Sequence, residues 1–390
     1  MSTTAISPQT DWRQEWFEIE DATYLNLASQ SPMPKVSIRA VQAALEANKN
    51  PHHKTDATFF EVPNRLRASI AKLIGGKPEE VALTSGASAG VAAVAYALTW
   101  KPGDEVITAK GEFPLQHATW KPMEEREGLK LRIVSPRERF ITADDLIAAL
   151  TPRTRLVSVS MVRYDDGSLL DARRVADTCH KQGALLLLDA SQSCGAMPID
   201  VNQLGADFIV SAGYKWLLGP FGTGFFWTKS EHLVLGMVRP GPFYWMALMG
   251  SHNFAAMNFE DPKPGPSAKR WDSPEWASYY NFNLVAMDAS VDFVVRMGPE
   301  LVQAHNRKLI ELMFERLPKD RLVPASPLDP ARRGSYGCFA ARSAERTAEY
   351  YHRLRKENVV VSLREGNIRV SPYLYNTERD IDRLISVVTP

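Results

Sequence analysis

The feature that most constrains the fold is an alternation in the middle of the chain. Short, nearly continuous apolar runs are separated by stretches with helical spacing. The runs are Val81–Thr84, Glu105–Ala109, Leu131–Val134, Leu156–Ser160, Ala184–Asp189, Asp207–Val210 and Gly224–Trp227. Thr142–Leu150, Ala172–Gln182 and the segment ending at Leu98 read as helices between them. A run such as Leu185-Leu-Leu-Leu-Asp189 has no polar face, so it suits a strand covered on both sides. Strand and helix in alternation predict an α/β fold with a mainly parallel sheet between helical layers.

The pattern breaks between Gly236 and Lys269. Gly241-Pro-Phe-Tyr-Trp-Met246 opens a loop rich in aromatics, and Asp261-Pro-Lys-Pro-Gly-Pro266 excludes regular helix or strand. Phe243–Met249 reads as a lid or a subunit contact. Beyond the loop, helical patterns over about Ser278–Met297, Glu300–Leu317 and Ala344–Lys356 mix with strand-like Gly334–Ala341, Val359–Ser362 and Asn367–Val370. They predict a smaller α+β unit after a domain boundary.

Several function classes are disfavoured. Lys and Arg number 46 against 45 Asp and Glu, so no global field favours nucleic acid or an anionic membrane. Cys179, Cys194 and Cys338 are the only cysteines and form no CxxC pair, which argues against a disulfide framework or a Cys-rich metal site. His52-His53 lacks metal-ligand spacing. The longest apolar candidates, Val91–Leu98 and Ala184–Leu188, fall far short of the ~18 residues of a membrane span. The polar segment Met1–Trp16 reads as no signal peptide, and the expectation is a soluble cytoplasmic protein.

Three segments carry chemistry together. Leu83-Thr-Ser-Gly-Ala-Ser-Ala-Gly90 is a small-residue turn from strand to helix, where backbone N–H groups can cradle a phosphate. Asp189 ends a very apolar strand, where a carboxylate calls for a cation. Lys215, in Ser211-Ala-Gly-Tyr-Lys-Trp216, sits between aromatics in a glycine-containing loop and is a candidate Schiff-base amine. Taken singly, each has an ordinary reading: a structural turn, an N-capping Asp, a solvated Lys.

With Asp189-x-x-Gln192, Tyr214-Lys215 and Arg369-Val-Ser-Pro372 in this order, the chain resembles the class V aminotransferases, pyridoxal-phosphate enzymes of fold type I, from about Tyr24 to Ile385. Cysteine desulfurases, kynureninases and isopenicillin-N-epimerase-like proteins belong to that family. The resemblance implies a large domain with a seven-stranded, mainly parallel sheet over residues 30–265, a small C-terminal α+β domain over 266–390, and an N-terminal segment, 1–29, packing with the small domain. It implies pyridoxal 5′-phosphate as cofactor, an amino acid as substrate, no metal, and a homodimer. By the same resemblance Lys215 binds the cofactor covalently and moves the α-proton, and Asp189 pairs with the ring nitrogen. Gln192 contacts the ring's phenolic oxygen, and Ala87 and Ser88 belong to the phosphate cradle. Phe113 takes the ring-stacking place, in the Phe-Pro pair of kynureninases rather than the His of desulfurases. Tyr214, Gln116 and Ser273 match further cofactor-contacting positions, Ser273 in a segment that reaches the partner's phosphate. Arg369 matches the Arg that grips the substrate α-carboxylate, a role that suits its planar fork. Arg364 is a second candidate for it, and Asn26 and Ser29 lie in the substrate-facing N-terminal segment.

Departures from the pattern narrow the reaction. Val361-Ser-Leu-Arg-Glu-Gly-Asn367 is short and lacks the nucleophilic Cys of desulfurases, while Cys338 falls on an expected strand. Tyr164 stands where desulfurases often carry Asn. The expectation is an aminotransferase, with a Cβ-lyase or an epimerase as alternatives. A non-catalytic binding protein of the same fold is disfavoured by the intact set of Lys215, Asp189 and Arg369. No second base for two-face epimerisation is evident from the sequence.

Overall fold

The structure, a computed structural model, describes residues 11–234, 245–256, 260–273 and 282–389. Its strands in chain order are Thr23–Tyr24 (β1), Val81–Thr84 (β2), Glu105–Ala109 (β3), Lys130–Val134 (β4), Thr154–Ser160 (β5), Leu185–Asp189 (β6), Phe208–Ala212 (β7), Gly224–Thr228 (β8), Leu322–Pro324 (β9), Gly337–Ala341 (β10), Val359–Val360 (β11), Ser362–Arg364 (β12) and Asn367–Val370 (β13). A 7-stranded sheet runs β2-β8-β7-β6-β5-β3-β4. Strand β8 pairs antiparallel with β2 and β7, and the other pairs are parallel. All seven expected strands are present, and the sheet is mainly parallel as the family resemblance implies.

The apolar run of β6 explains its central place. Leu186 and Leu188 join one core cluster, while Leu185 and Leu187 join another on the opposite face. The two-residue period of a strand sends successive side chains to opposite faces, so a strand between two cores is apolar throughout. Helices Ala87–Ala97 and Pro114–Glu127 supply one layer, through Val91, Val94, Leu115 and Trp120. Helices Glu61–Ile74, Ala172–Lys181 and Phe282–Met297 supply the other, through Leu66, Val175 and Val291.

The smaller unit is the antiparallel sheet β12-β13-β10-β9, closed by helices Pro299–Arg316, Ala344–Lys356 and Glu378–Val388 around Met313, Phe339, Ile368 and Leu384. The strand expected over Gly334–Ala341 starts at Gly337, and the one expected near Val359–Ser362 is two short strands. The N-terminal segment reaches this unit: β1 pairs parallel with β11, and Asn26 bridges to Ser371.

The division expected at residue 265 does not follow the packing. Ala268–Trp271 lies against β2, and helix Phe282–Met297 packs on helices Lys35–Asn48 and Glu61–Ile74. Apolar residues of 282–297 complete the large sheet's cover, so the chain leaves the large unit only at Gly298, whose φ is 81°. Residues 278–281 of the expected helix, and Phe243 and Tyr244 of the expected lid, lie outside the described residues. Met246 of that cluster is buried against Phe60.

Candidate active site

Strands β3, β5, β6 and β7 all point their carboxyl ends to the same edge of the sheet, and the chemistry collects there. Phe113 follows β3, Tyr164 follows β5, Asp189 closes β6 and Lys215 follows β7. The order β6-β5-β3-β4 places β5 and β4 on opposite sides of β3, and open α/β sheets bind ligands at such a reversal. Lys215, Phe113, Tyr164, Tyr214 and Gln192 line a cavity of about 110 Å³ with Ser29, Arg364 and Arg369.

Lys215 is 8% exposed. Its Nζ lies 5.4 Å from the centroid of Phe113 and 5.6 Å from that of Tyr214. Burial lowers its pKa from the ordinary lysine value to about 8; Asp189 opposes the shift, and Arg369 and Arg364 add to it. A neutral, nucleophilic amine is therefore accessible near physiological pH. The loop is held by Leu218 N–H donating to the Lys215 carbonyl at 3.0 Å and Gly219 N–H to the Gly213 carbonyl at 2.9 Å. The ring of Tyr214 stacks on Phe221 at 4.1 Å.

Asp189 Oδ1 accepts from Ser191 N–H at 2.8 Å, and Oδ2 has no partner among the described residues. Gln192 is fixed from both ends: Trp216 Nε1 donates to its Oε1 at 2.9 Å, and its Nε2 donates to the Ala28 carbonyl at 3.0 Å. The residue after the lysine thus orients Gln192 at the cavity wall.

The cradle lies at the start of helix Ala87–Ala97, which no side chain caps. The N–H groups of Ala87 and Ser88 are therefore free for an anion. Gly86 has φ 147°, and a Cβ there would meet nothing within 4 Å, so open space lies against the turn. Ser273 borders this chain's own cradle, its Oγ accepting from Ser85 N–H at 3.3 Å. The neighbouring Asp272 is bound by Arg67 and accepts from Leu83 N–H at 2.9 Å, which fastens the segment to β2. Behind the cradle, a Cβ on Gly224 would lie 2.4 Å from the Ser211 carbonyl oxygen and 2.7 Å from Gly86 Cα. Gly224→Ala is therefore expected to cost about 1–3 kcal/mol in urea unfolding and to weaken phosphate binding in the same protein.

On the other wall, Arg369 is 2% exposed. It donates to the Tyr164 carbonyl at 2.8 Å and to Ser29 Oγ at 2.8 Å, and its Nε has no partner. Ser362 is a hub that the sequence does not reveal. Its Oγ lies 2.8 Å from Ser29 Oγ and donates to Asn26 Oδ1. Asn26 supports this hub rather than lining the cavity. Tyr164 packs edge-on against Phe113 at 5.4 Å and donates its hydroxyl to Glu365 at 3.2 Å. Burial, with the charges of Glu365 and Asp165, raises that phenol to about 12. Glu365 was not singled out by sequence. With φ 46°, beside Gly366 at 77°, it forms the tight turn between β12 and β13, and the Glu-Gly pair was its only signal.

Gln116 lies elsewhere. It is fully buried, its Oε1 accepting from Trp120 Nε1 at 3.1 Å and Ser158 Oγ at 2.7 Å, and it does not line the cavity. Cys338 is also fully buried, and burial pushes its thiol up to about 12. Among the described residues, no group of three or more His, Cys, Asp or Glu is placed to hold a metal. Among the described residues no helix is long and apolar enough to cross a membrane.

The donors fit pyridoxal 5′-phosphate: an uncapped helix start for a phosphate, an unpartnered carboxylate oxygen for a protonated ring nitrogen, and a buried amine of lowered pKa for an aldehyde. Comparison with known proteins agrees. The chain is 29% identical to isopenicillin N epimerase of Streptomyces clavuligerus, over 92% of each chain. It is 29% identical to a probable cysteine desulfurase of Methanothermobacter thermautotrophicus, over 77% of this chain and 74% of that one. A cystine C-S lyase in complex with cysteine persulfide superimposes with a TM-score of 0.83 at 20% identity, covering 95% of this chain and 98% of the other. The family model for aminotransferase class-V matches residues 23–384, so the chain belongs to the class-V aminotransferase family of pyridoxal 5′-phosphate enzymes.

Proposed function

We propose that the protein is an amino-acid epimerase. One observation carries this reading. Two ionisable side chains, Lys215 and Tyr164, reach one cavity from β7 and β5, the strands on either side of the Asp189 strand. Epimerisation needs one group to take the Cα proton and another to return it. The lowered pKa of Lys215 suits the first task, and the raised pKa of Tyr164 keeps its hydroxyl protonated for the second. Glu365, exposed and hydrogen-bonded to that hydroxyl, links it to solvent.

When bound, the cofactor supplies the electron sink that makes the Cα proton acidic. Ala87 and Ser88 would hold its phosphate, Asp189 would pair with its ring nitrogen, and Arg369 would orient the substrate carboxylate. The named epimerase relative, aligned over nearly its full length, supports this choice over the aminotransferase expected from the sequence. Against sulfur transfer to a cysteine, the β12–β13 turn is only Glu365-Gly366, and all three cysteines are buried.

The test is incubation with single L- and D-amino acids in deuterated water, read by mass spectrometry and chiral chromatography. Interconversion of enantiomers with deuterium at Cα is expected. Tyr164→Phe is expected to retain deuterium exchange on one enantiomer while interconversion falls by about 10²-fold or more. Stoichiometric keto acid, or a released side-chain fragment, would replace this reading with transamination or lyase chemistry.

A further inference from the structure

Two guanidinium groups face the cavity without an acid. Arg369 is buried on β13, and Arg364 reaches the same space, half-buried, from the edge strand β12. Both donate to Ser29 Oγ, Arg369 at 2.8 Å and Arg364 at 3.2 Å, so the two forks sit side by side. Their other acceptors are neutral: the carbonyl of Tyr164 and the Ser362 hydroxyl for Arg369, and the carbonyl of Leu363 for Arg364. The carboxylate on the same hairpin, Glu365, is turned to the Tyr164 hydroxyl. Neither arginine has a carboxylate partner among the described residues. Arg67 and Arg163, buried as Arg369 is, do have one, in Asp272 and Asp165. An unpaired buried cation is costly, and a ligand that brings the missing charge relieves that cost. The α-carboxylate of an amino acid satisfies one fork and leaves the other.

We propose that the substrate is an acidic amino acid whose side-chain carboxylate is held by Arg364 while Arg369 holds the α-carboxylate. The inference rests on the reading that this cavity takes an amino acid. Beside the larger effect of burial, the two charges that lower the Lys215 pKa are these arginines, so a doubly anionic ligand also offsets their part of the field that favours its neutral amine.

Calorimetric titration of the holoenzyme with glutarate and with butyrate tests it. Glutarate is expected to bind about 10- to 100-fold more tightly. Arg364→Gln is expected to bring the two ligands near parity, Arg364→Lys to restore part of the preference, and Arg369→Gln to weaken both. Equal binding by the unaltered enzyme would mean that both forks clamp one carboxylate, and would overturn the proposal. So would an Arg364→Gln variant that loses butyrate as severely as glutarate. Deuterium exchange on glutamate and norvaline separates the two readings. Exchange without acidic preference sinks the second carboxylate and leaves the epimerase standing. A glutarate preference with no exchange on any amino acid sinks the epimerase and leaves the paired-anion site.

Discussion

Lys215→Ala is expected to lower turnover by about 10⁴-fold or more, because one substitution removes both the covalent anchor and the proposed proton acceptor. The variant should fold: the side chain makes no hydrogen bond among the described residues, and Trp216 and Leu217 beside it are fully buried. Its far-ultraviolet circular dichroism should match that of the unaltered protein while the visible band of the bound cofactor disappears. Full activity in this variant would end the proposed mechanism. The pKa of about 8 adds a pH signature. Below that value the buried amine is protonated and cannot attack an aldehyde; above it the amine is free. Capture of added cofactor by cofactor-free protein should therefore accelerate as pH rises toward about 8 and then level off. Asp189 is the influence that holds the pKa up, so Asp189→Asn should shift this rise to lower pH.

Arg369→Gln is expected to reduce kcat/KM for the amino acid by about 10²- to 10⁴-fold, the worth of two charge-assisted hydrogen bonds in a buried site. The same change strips donors from the Tyr164 carbonyl and Ser29 Oγ. Part of the loss will therefore be positional. Comparison with Arg369→Lys divides the two: lysine restores charge without the planar fork, and recovery of less than about tenfold would assign the effect to bidentate geometry. Unchanged KM in both variants would remove Arg369 from substrate binding.

The large sheet was legible because its strands are buried on both faces and so stand out as apolar runs. Leu185–Asp189 is the clearest case, its side chains divided between two cores. The cavity residues Lys215, Gln192, Phe113, Ser29 and Arg369 were legible through short segments whose residue types serve one chemistry. Contacts between distant segments were not. The Ser29–Ser362 contact joins positions 333 residues apart, and a hydroxyl hub of that kind has no local signature. Gln116 shows the converse error. It lies three residues after Phe113, near the start of the helix, where the chain turns inward, so its amide meets Trp120 and Ser158 instead of the cavity. The domain seam was misplaced because the proline-rich stretch near 261–266 is a loop within one unit, while the change of unit at Gly298 joins two helices.

The pairing of β1 with β11 sets an order on biogenesis. Thr23 is registered with Val359, so this strand must wait for a partner that is made far later in synthesis. Every strand of the large sheet, with the cradle and Lys215, lies before residue 229 and its last covering helix ends at Met297, so this unit can assemble while the remainder is still being translated. The carboxylate grip cannot, since it needs Ser29 from one end of the chain and Arg369 from the other. Such distant pairing is slow to form. A nascent chain can therefore become competent to capture cofactor well before it can hold a substrate, which delays turnover until the Arg369 strand has been made.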